Sequence, residues 1–187
     1  MKVSIGVSNR HVHLTKEHLE VLFGEGYELQ KKNDLTQPGQ YASTALVTIK
    51  TEKSEINNVR VLGPTRSYTQ VEISKTDAYK LGLNPPVRNS GDLKGSEAIT
   101  IVGPKGSIRV DECCIIAVRH IHILPSQVKS YGLEGREKVN VKLNGEKGGI
   151  ITNVYLKVSE ESFFELHLDT DDANAHLIKN GDIGEII

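Results

Sequence analysis

Two short segments each set a pair of imidazoles one residue apart: Arg10-His11-Val12-His13 and Arg119-His120-Ile121-His122. In a strand, residues i and i+2 point to the same face, so each segment offers two imidazoles to one side. Neutral imidazole is a borderline donor that suits zinc and its neighbours, and a catalytic zinc commonly has three protein ligands and one open position. The third ligand has to come from elsewhere. The two segments lie 109 residues apart, an offset shared by Gly26 and Gly135. A second echo, at 95 residues, matches Val71-Glu72-Ile73, followed by Asp77-Ala78, to Leu166-His167-Leu168, followed by Asp172-Ala173. It supplies Glu72 and His167 as equivalent third ligands, giving His-His-Glu and His-His-His. A longer surface excursion in the first copy accounts for the difference between the offsets at small entropic cost. One isolated His-x-His reads as two strand histidines on a satisfied face. Two copies, both behind an arginine and both with a ligand-type residue at the echoed third place, read as two metal sites on two similar structural units.

A turn, Gly63-Pro64-Thr65-Arg66, leads into the strand that carries Glu72. A guanidinium there can grip an oxyanion, since its planar donors match phosphate and its charge persists beside a cation. The plain alternative is a surface arginine in a turn. Arg88, with Ser90 and Gly91 in the Pro-rich stretch from Leu83 to Asp92, is a weaker second anion contact; that stretch reads as a linker or as a binding loop. His18, on a helical face, and His176, without an echo, are left out of the sites. Cys113 and Cys114 invite a thiolate reading, but they enter the apolar run Ile115-Ile116-Ala117-Val118 and read as small core residues. Asp169, Asp171 and Asp172 lack the spacing of a calcium loop and read as a solvated or helix-capping cluster.

These residues need a scaffold of strands. Apolar or alternating runs predict strands at Val3–Val7, Ala45–Lys50, Asn58–Leu62, Thr69–Ile73, Ala98–Val102, Ile115–His122, Val139–Leu143, Gly149–Val158 and Phe163–Leu168. Turn pairs such as Gly103-Pro104 and Asn144-Gly145 stand where they stop. Helices are short: one capped by Thr15 and closed by Gly24, one opening at Pro125-Ser126, and two more after Thr76 and Asp171. With 187 residues, the chain has room for one large or two small domains. A net charge of -1 gives no basic excess to recruit nucleic acid, and no apolar run is long enough to span a membrane. Adjacent cysteines rarely pair with each other, and the first residues lack a secretory pattern, so a cytoplasmic protein is expected.

The joint pattern of Val7-Ser8-Asn9-Arg10-His11-Val12-His13-Leu14, Gly63-Pro64-x-Arg66, Pro86-Val87-Arg88-x-Ser90-Gly91 and Arg119-His120-x-His122 resembles the PduL-type phosphate acyltransferases, the phosphate propanoyltransferases, over nearly the whole chain. The resemblance implies a short acyl group, propanoyl or acetyl, moved between coenzyme A and phosphate, with acyl-CoA, phosphate and acyl phosphate as the small-molecule partners. It implies two zinc ions per chain, one at the positions of His11, His13 and Glu72, the other at those of His120, His122 and His167, with Arg66 at the phosphate. It implies a mainly β fold of two intertwined small β-barrels with short capping helices: residues 10–117 in one, residues 1–9 with 118–187 in the other, and a homodimer. Ser8, beside the first His pair, is expected to add a hydrogen bond, and Ala117 stands at its echoed place. Only ten residues precede His11, so no amphipathic extension for packaging in a microcompartment is expected. Three rivals share some of these residues: a zinc metallohydrolase acting on a small ester, amide or phosphoester, a metal-storage protein with closed sites, and a cysteine acyltransferase. The ligand types admit iron or cobalt beside zinc.

Overall fold

Alternating apolar and polar residues, interrupted by Gly, Pro and Asn turns, fold most of the chain into short strands. In the computed structural model, which describes residues 1–187, the order is β1 (Lys2–Ser8), β2 (His11–His13), α1 (Lys16–Phe23), β3 (Lys31–Asp34), β4 (Tyr41–Lys50), β5 (Glu55–Gly63), β6 (Gln70–Glu72), α2 (Lys75–Leu81), β7 (Val87–Arg88), β8 (Glu97–Val102) and β9 (Ser107–Ala117). There follow β10 (His120–Ile123), α3 (Pro125–Ser130), β11 (Lys138–Leu143), β12 (Gly149–Val158), β13 (Glu165–Asp169), α4 (Thr170–Ala175) and β14 (Ile183–Ile186). The chain divides into an inserted unit, residues 10–117, and a split unit, residues 1–9 with 118–187.

In the split unit six strands close a barrel in the order β1-β13-β10-β12-β11-β14. The β1–β13 and β10–β12 pairs are parallel and the other four antiparallel. The inserted unit closes a ring of the same kind, β9-β6-β2-β5-β4-β8, with β6–β9 and β2–β5 parallel and β3 and β7 added outside it. Strand for strand, β10 corresponds to β2, β13 to β6, and β1 to β9. The mainly β expectation, two barrels with short helices, therefore holds.

Each barrel has its own apolar core. Val12, Leu14, Val61, Val71, Ile73 and Ile101 belong to that of the inserted unit. Ile5, Ile121, Ile123, Val141, Leu166 and Leu168 belong to that of the split unit. Strand alternation then turns His11, His13 and Glu72, and likewise His120, His122 and His167, away from their own barrel interiors.

The helices begin where a side chain can take up an early amide. Thr15 accepts the His18 N–H, and Gly24, at φ 109°, closes α1. The other two capping expectations shift. α2 is capped by Ser74, which accepts from Asp77, and α4 by Asp169, which accepts from Asp172, so both helices start before Thr76 and Asp171 respectively. The single strand expected over Ile115–His122 is two, because at Val118-Arg119 the chain passes from one unit to the other. β3 carries only exposed polar residues, and its ladder to β4 rather than burial holds it.

Candidate metal centres

β2 and β6 run antiparallel with His11 opposite Glu72 and His13 opposite Gln70. β10 and β13 repeat the arrangement with His120 opposite His167 and His122 opposite Glu165. Each triad is thus built on two neighbouring strands of one barrel, and the sequence echoes at 109 and 95 residues are one structural register seen from two strands. In both triads the potential ligand atoms lie within 4.8 Å of one another.

In the first triad His11 Nε2 is 3.6 Å from Glu72 Oε1, and the His11 and His13 rings meet edge to face at 5.0 Å. In the second, His120 Nε2 and His122 Nε2 are 3.2 Å apart, and the rings of His122 and His167 lie 4.7 Å apart. Two nitrogens about 2.0–2.1 Å from a tetrahedral zinc are about 3.3 Å from each other, so these separations fit such an ion with small adjustment. His120 is also held in the tautomer that ligation requires, because its Nδ1 lies 2.8 Å from the Val118 carbonyl, which can only accept. The proton is therefore on Nδ1 and the lone pair on Nε2. Burial first, and then the positive potential of His167, His120 and Lys157, push the His122 pKa down to about 2, so this ring is neutral and competent to bind a cation at neutral pH.

Arg66 belongs to the surroundings of the first triad. Its backbone N–H donates to the carbonyl of Leu14, the residue after His13 (2.9 Å). Its Nη1 donates to Ser90 Oγ and Tyr68 Oη, each at 3.2 Å, and Nη2 lies 3.5 Å from Gln40 Oε1. Ser90 Oγ accepts from Gln70 Nε2 at 2.8 Å, and the same amide donates to Glu72 Oε2 at 2.6 Å. A continuous chain of hydrogen bonds thus runs from the guanidinium to a potential ligand. Gly63, which opens this turn, packs so closely on the Tyr41 ring that a Cβ there would overlap it.

Arg88 turns toward Asp92, with Nε 3.5 Å from Oδ2, although Ser90 and Gly91 of the same loop reach Gln70. Ser8 is on β1 opposite Asp169, in the barrel of the second triad rather than that of the His pair it precedes in sequence. His18 Nδ1 and Thr69 Oγ1 share a hydrogen bond at 2.7 Å. Cys113 and Cys114 are fully buried in the inserted unit's core, where desolvation pushes the Cys113 pKa up to about 12 and that of Cys114 well above its ordinary value. Neither is placed to act as a thiolate nucleophile.

Four further polar residues complete the surroundings, two of them, Gln70 and Glu165, unmarked by the sequence motifs and two, Asp77 and Asp172, part of the second echo. Gln70 and Glu165, two positions before Glu72 and His167, are buried against them. Asp77 and Asp172 each meet the arginine that precedes a His pair. All four sit at the 95-residue offset, but Gln and Glu differ in type.

A family model described as phosphate propanoyltransferase matches residues 4–179. The phosphate propanoyltransferase of Thermotoga maritima is 50% identical over 186 residues, 99% of this chain and 89% of that protein. That of Priestia megaterium is 53% identical over 182 residues, 97% of this chain and 84% of that protein. That of Rhodopseudomonas palustris is 45% identical over 185 residues, 99% and 82% respectively.

Proposed function

The chain belongs to the phosphate propanoyltransferase family, a family of acyltransferases, and on that premise we propose that it moves a short acyl group, propanoyl or acetyl, between coenzyme A and inorganic phosphate with two zinc ions per chain. His11, His13 and Glu72 would hold one ion, and His120, His122 and His167 the other. The observation that carries this reading is the repeated register, with His11 opposite Glu72 and His120 opposite His167 on equivalent strand pairs. Histidine and carboxylate donors at these separations match zinc in type and geometry.

In the proposed reaction a phosphate oxygen bonds to the thioester carbonyl carbon, the carbon–sulfur bond breaks, and coenzyme A leaves as its thiolate. Zinc, when bound, supplies Lewis acidity toward the carbonyl and affinity for the departing sulfur. Arg66 holds phosphate. Its backbone bond to Leu14 and its side-chain bonds to Ser90 and Tyr68 fix the guanidinium before the anion arrives, so less orientational freedom is lost on binding. Ser90 and Gln70 position Arg66 relative to Glu72. No acyl-enzyme step is needed, in keeping with cysteines that are buried and neutral. Ser8 would add a hydrogen bond at the reacting groups, and Arg88 with Ser90 a second anion contact for the coenzyme.

The two reduced, buried cysteines agree with a cytoplasmic setting, and no helix is long and apolar enough to cross a membrane. A homodimer is carried over from the family resemblance, and light scattering tests it. The function itself is tested by measuring zinc content and thioester formation from acyl phosphate and coenzyme A for wild type and His120→Ala together. The expected result is two zinc ions and rapid thioester formation in the wild type, with one ion and little activity in the variant. Phosphate release independent of coenzyme A would instead identify a metallohydrolase, and a variant that keeps both metal and activity would overturn the reading.

A further inference from the structure

The third ligand positions of the two centres differ, and so do the residues two places before them. In the inserted unit the pair is Gln70 and Glu72; in the split unit it is Glu165 and His167. Each pair shares one strand face and is joined by a short hydrogen bond, 2.6 Å from Gln70 Nε2 to Glu72 Oε2 and 2.8 Å between His167 Nε2 and Glu165 Oε2. The chemistry is complementary in each case. A carboxylate ligand, which only accepts, has an amide donor beside it. An imidazole ligand, which must place one N–H somewhere, has a carboxylate acceptor.

We propose that Glu165 is the positioning carboxylate of the second metal centre, holding the proton of His167 on Nε2 so that Nδ1 is the atom presented to the ion. An ionised carboxylate can only accept, so the 2.8 Å contact fixes the proton on Nε2 and leaves the lone pair on Nδ1. Ligating histidines commonly pass their second N–H to such a group, and its loss typically lowers metal affinity about 10–100-fold. Glu165 is buried, its side chain only 7% exposed, and its place is made by Gly6 of β1. A Cβ at Gly6 would stand 2.9 Å from Glu165 Oε2 and 3.3 Å from His167 Cδ2. Gly6 is paired with His167 in the ladder, whereas the corresponding partner of Glu72 on β9 is Ile115. The second centre thus has room beside its third ligand where the first has a buried isoleucine side chain. With these neighbours included, each centre contains one carboxylate, at the ligand position in one and behind it in the other. The same charge is available to offset the ion at both.

This inference rests on the two-centre reading above, and one experiment separates them. Zinc stoichiometry and affinity, by elemental analysis and competition with a chromophoric chelator, are measured on wild type, Glu165→Gln, Glu165→Asp, His167→Glu and the double variant Glu165→Gln with His167→Glu. Expected are two ions in the wild type; in Glu165→Gln, a second ion bound about 10–100-fold more weakly with the first unchanged; partial recovery in Glu165→Asp; and recovery in the double variant, which rebuilds the Gln-and-Glu pair of the first centre. Imidazole nitrogen spectra of the metal-free protein should show His167 protonated on Nε2, and this preference should be lost in Glu165→Gln. A Glu165→Gln protein that binds both ions as tightly as a two-ion wild type overturns the inference alone. A wild type that holds fewer than two ions overturns the two-centre reading and the inference with it. A double variant no better than the two single ones identifies Glu165 as a packing residue and also overturns the inference.

Discussion

Arg119 meets Asp172 through two hydrogen bonds, Nε to Oδ2 at 2.7 Å and Nη2 to Oδ1 at 2.6 Å. Arg10 meets Asp77 at the corresponding place in the other unit, Nε to Oδ2 at 2.8 Å. In each unit the arginine immediately precedes the His pair, and the aspartate is the helical residue whose amide the N-cap side chain accepts. The strand bearing the His pair is therefore tied to the helix that follows the strand bearing Glu72 or His167. Asp172 holds the Arg119 pKa above its ordinary value, against a smaller opposing effect of burial. Arg119→Lys keeps the charge and loses the planar fork. It should lower stability by about 1 kcal/mol, allowing for partial exposure, or about 2–4 °C in melting temperature for a chain of this size. Calorimetry checks this, and an unchanged melting temperature would refute it.

Arg66→Lys should raise the KM for phosphate about 10–100-fold, the range expected when charge-assisted hydrogen bonds to an anion are lost. Zinc content should remain at two per chain. Steady-state kinetics with phosphate varied, alongside metal analysis, checks both halves. A loss of zinc in this variant would place Arg66 in metal retention rather than in anion binding.

Replacing both Cys113 and Cys114 by Ala should leave turnover per folded molecule unchanged and should alter alkaline stability. The folded state holds the Cys113 thiol neutral to about 12, against 9.0 for the free group, and holds Cys114 neutral beyond its ordinary value as well. The unfolded chain releases these protons above about pH 9, whereas the folded chain keeps them. Their neutral burial therefore favours the fold fully below about pH 9, and that contribution is lost as pH rises toward about 12. Each thiol should cost about a tenfold change in the folding equilibrium per pH unit in this window. Denaturant titrations at about pH 8, 9, 10 and 11 should show a steeper decline in the wild type than in the double variant.

Gly6→Ala should weaken zinc at the second centre by about tenfold, because the new methyl group crowds Glu165 and His167. Ile115→Ala, at the corresponding ladder position of the other barrel, should instead cost about 2–5 kcal/mol of stability through a cavity and leave second-centre zinc affinity unaltered. Paired melting curves and chelator competitions distinguish crowding at a site from loss of buried packing.

Much of this arrangement can be read from the residues. His11 with His13 and His120 with His122 announce themselves because strand geometry turns a two-residue spacing into a shared face, and repetition makes coincidence improbable. Glu72 and His167 follow from the second offset, of 95 residues. Gln70 and Glu165 do not, because they match in position and in role but not in type, and that role depends on what each neighbour can donate or accept. Asp77 and Asp172 are visible as an echo, yet only the folded arrangement reveals that, near the starts of α2 and α4, they hold Arg10 and Arg119. Ser8 stands three residues before His11, but the chain changes barrel between Asn9 and Arg10, so the two belong to different units. β3 has no apolar alternation to betray it, since its stability comes from backbone pairing.

Strand β1, which completes the barrel of the split unit, also brings the two ends of the chain together. Met1 and Ile186 exchange hydrogen bonds, N to O at 2.9 Å one way and 2.7 Å the other. The chain therefore returns to where it started. Joined there by a few residues and opened between Asn9 and Arg10, it would become a tandem of two uninterrupted blocks, each running strand, helix, three strands, helix and two strands once β3 and β7 are set aside. Such a circular permutant needs no new contact to fold. It presents the chain as one motif written twice in succession, with the two ends of the sequence falling inside one copy.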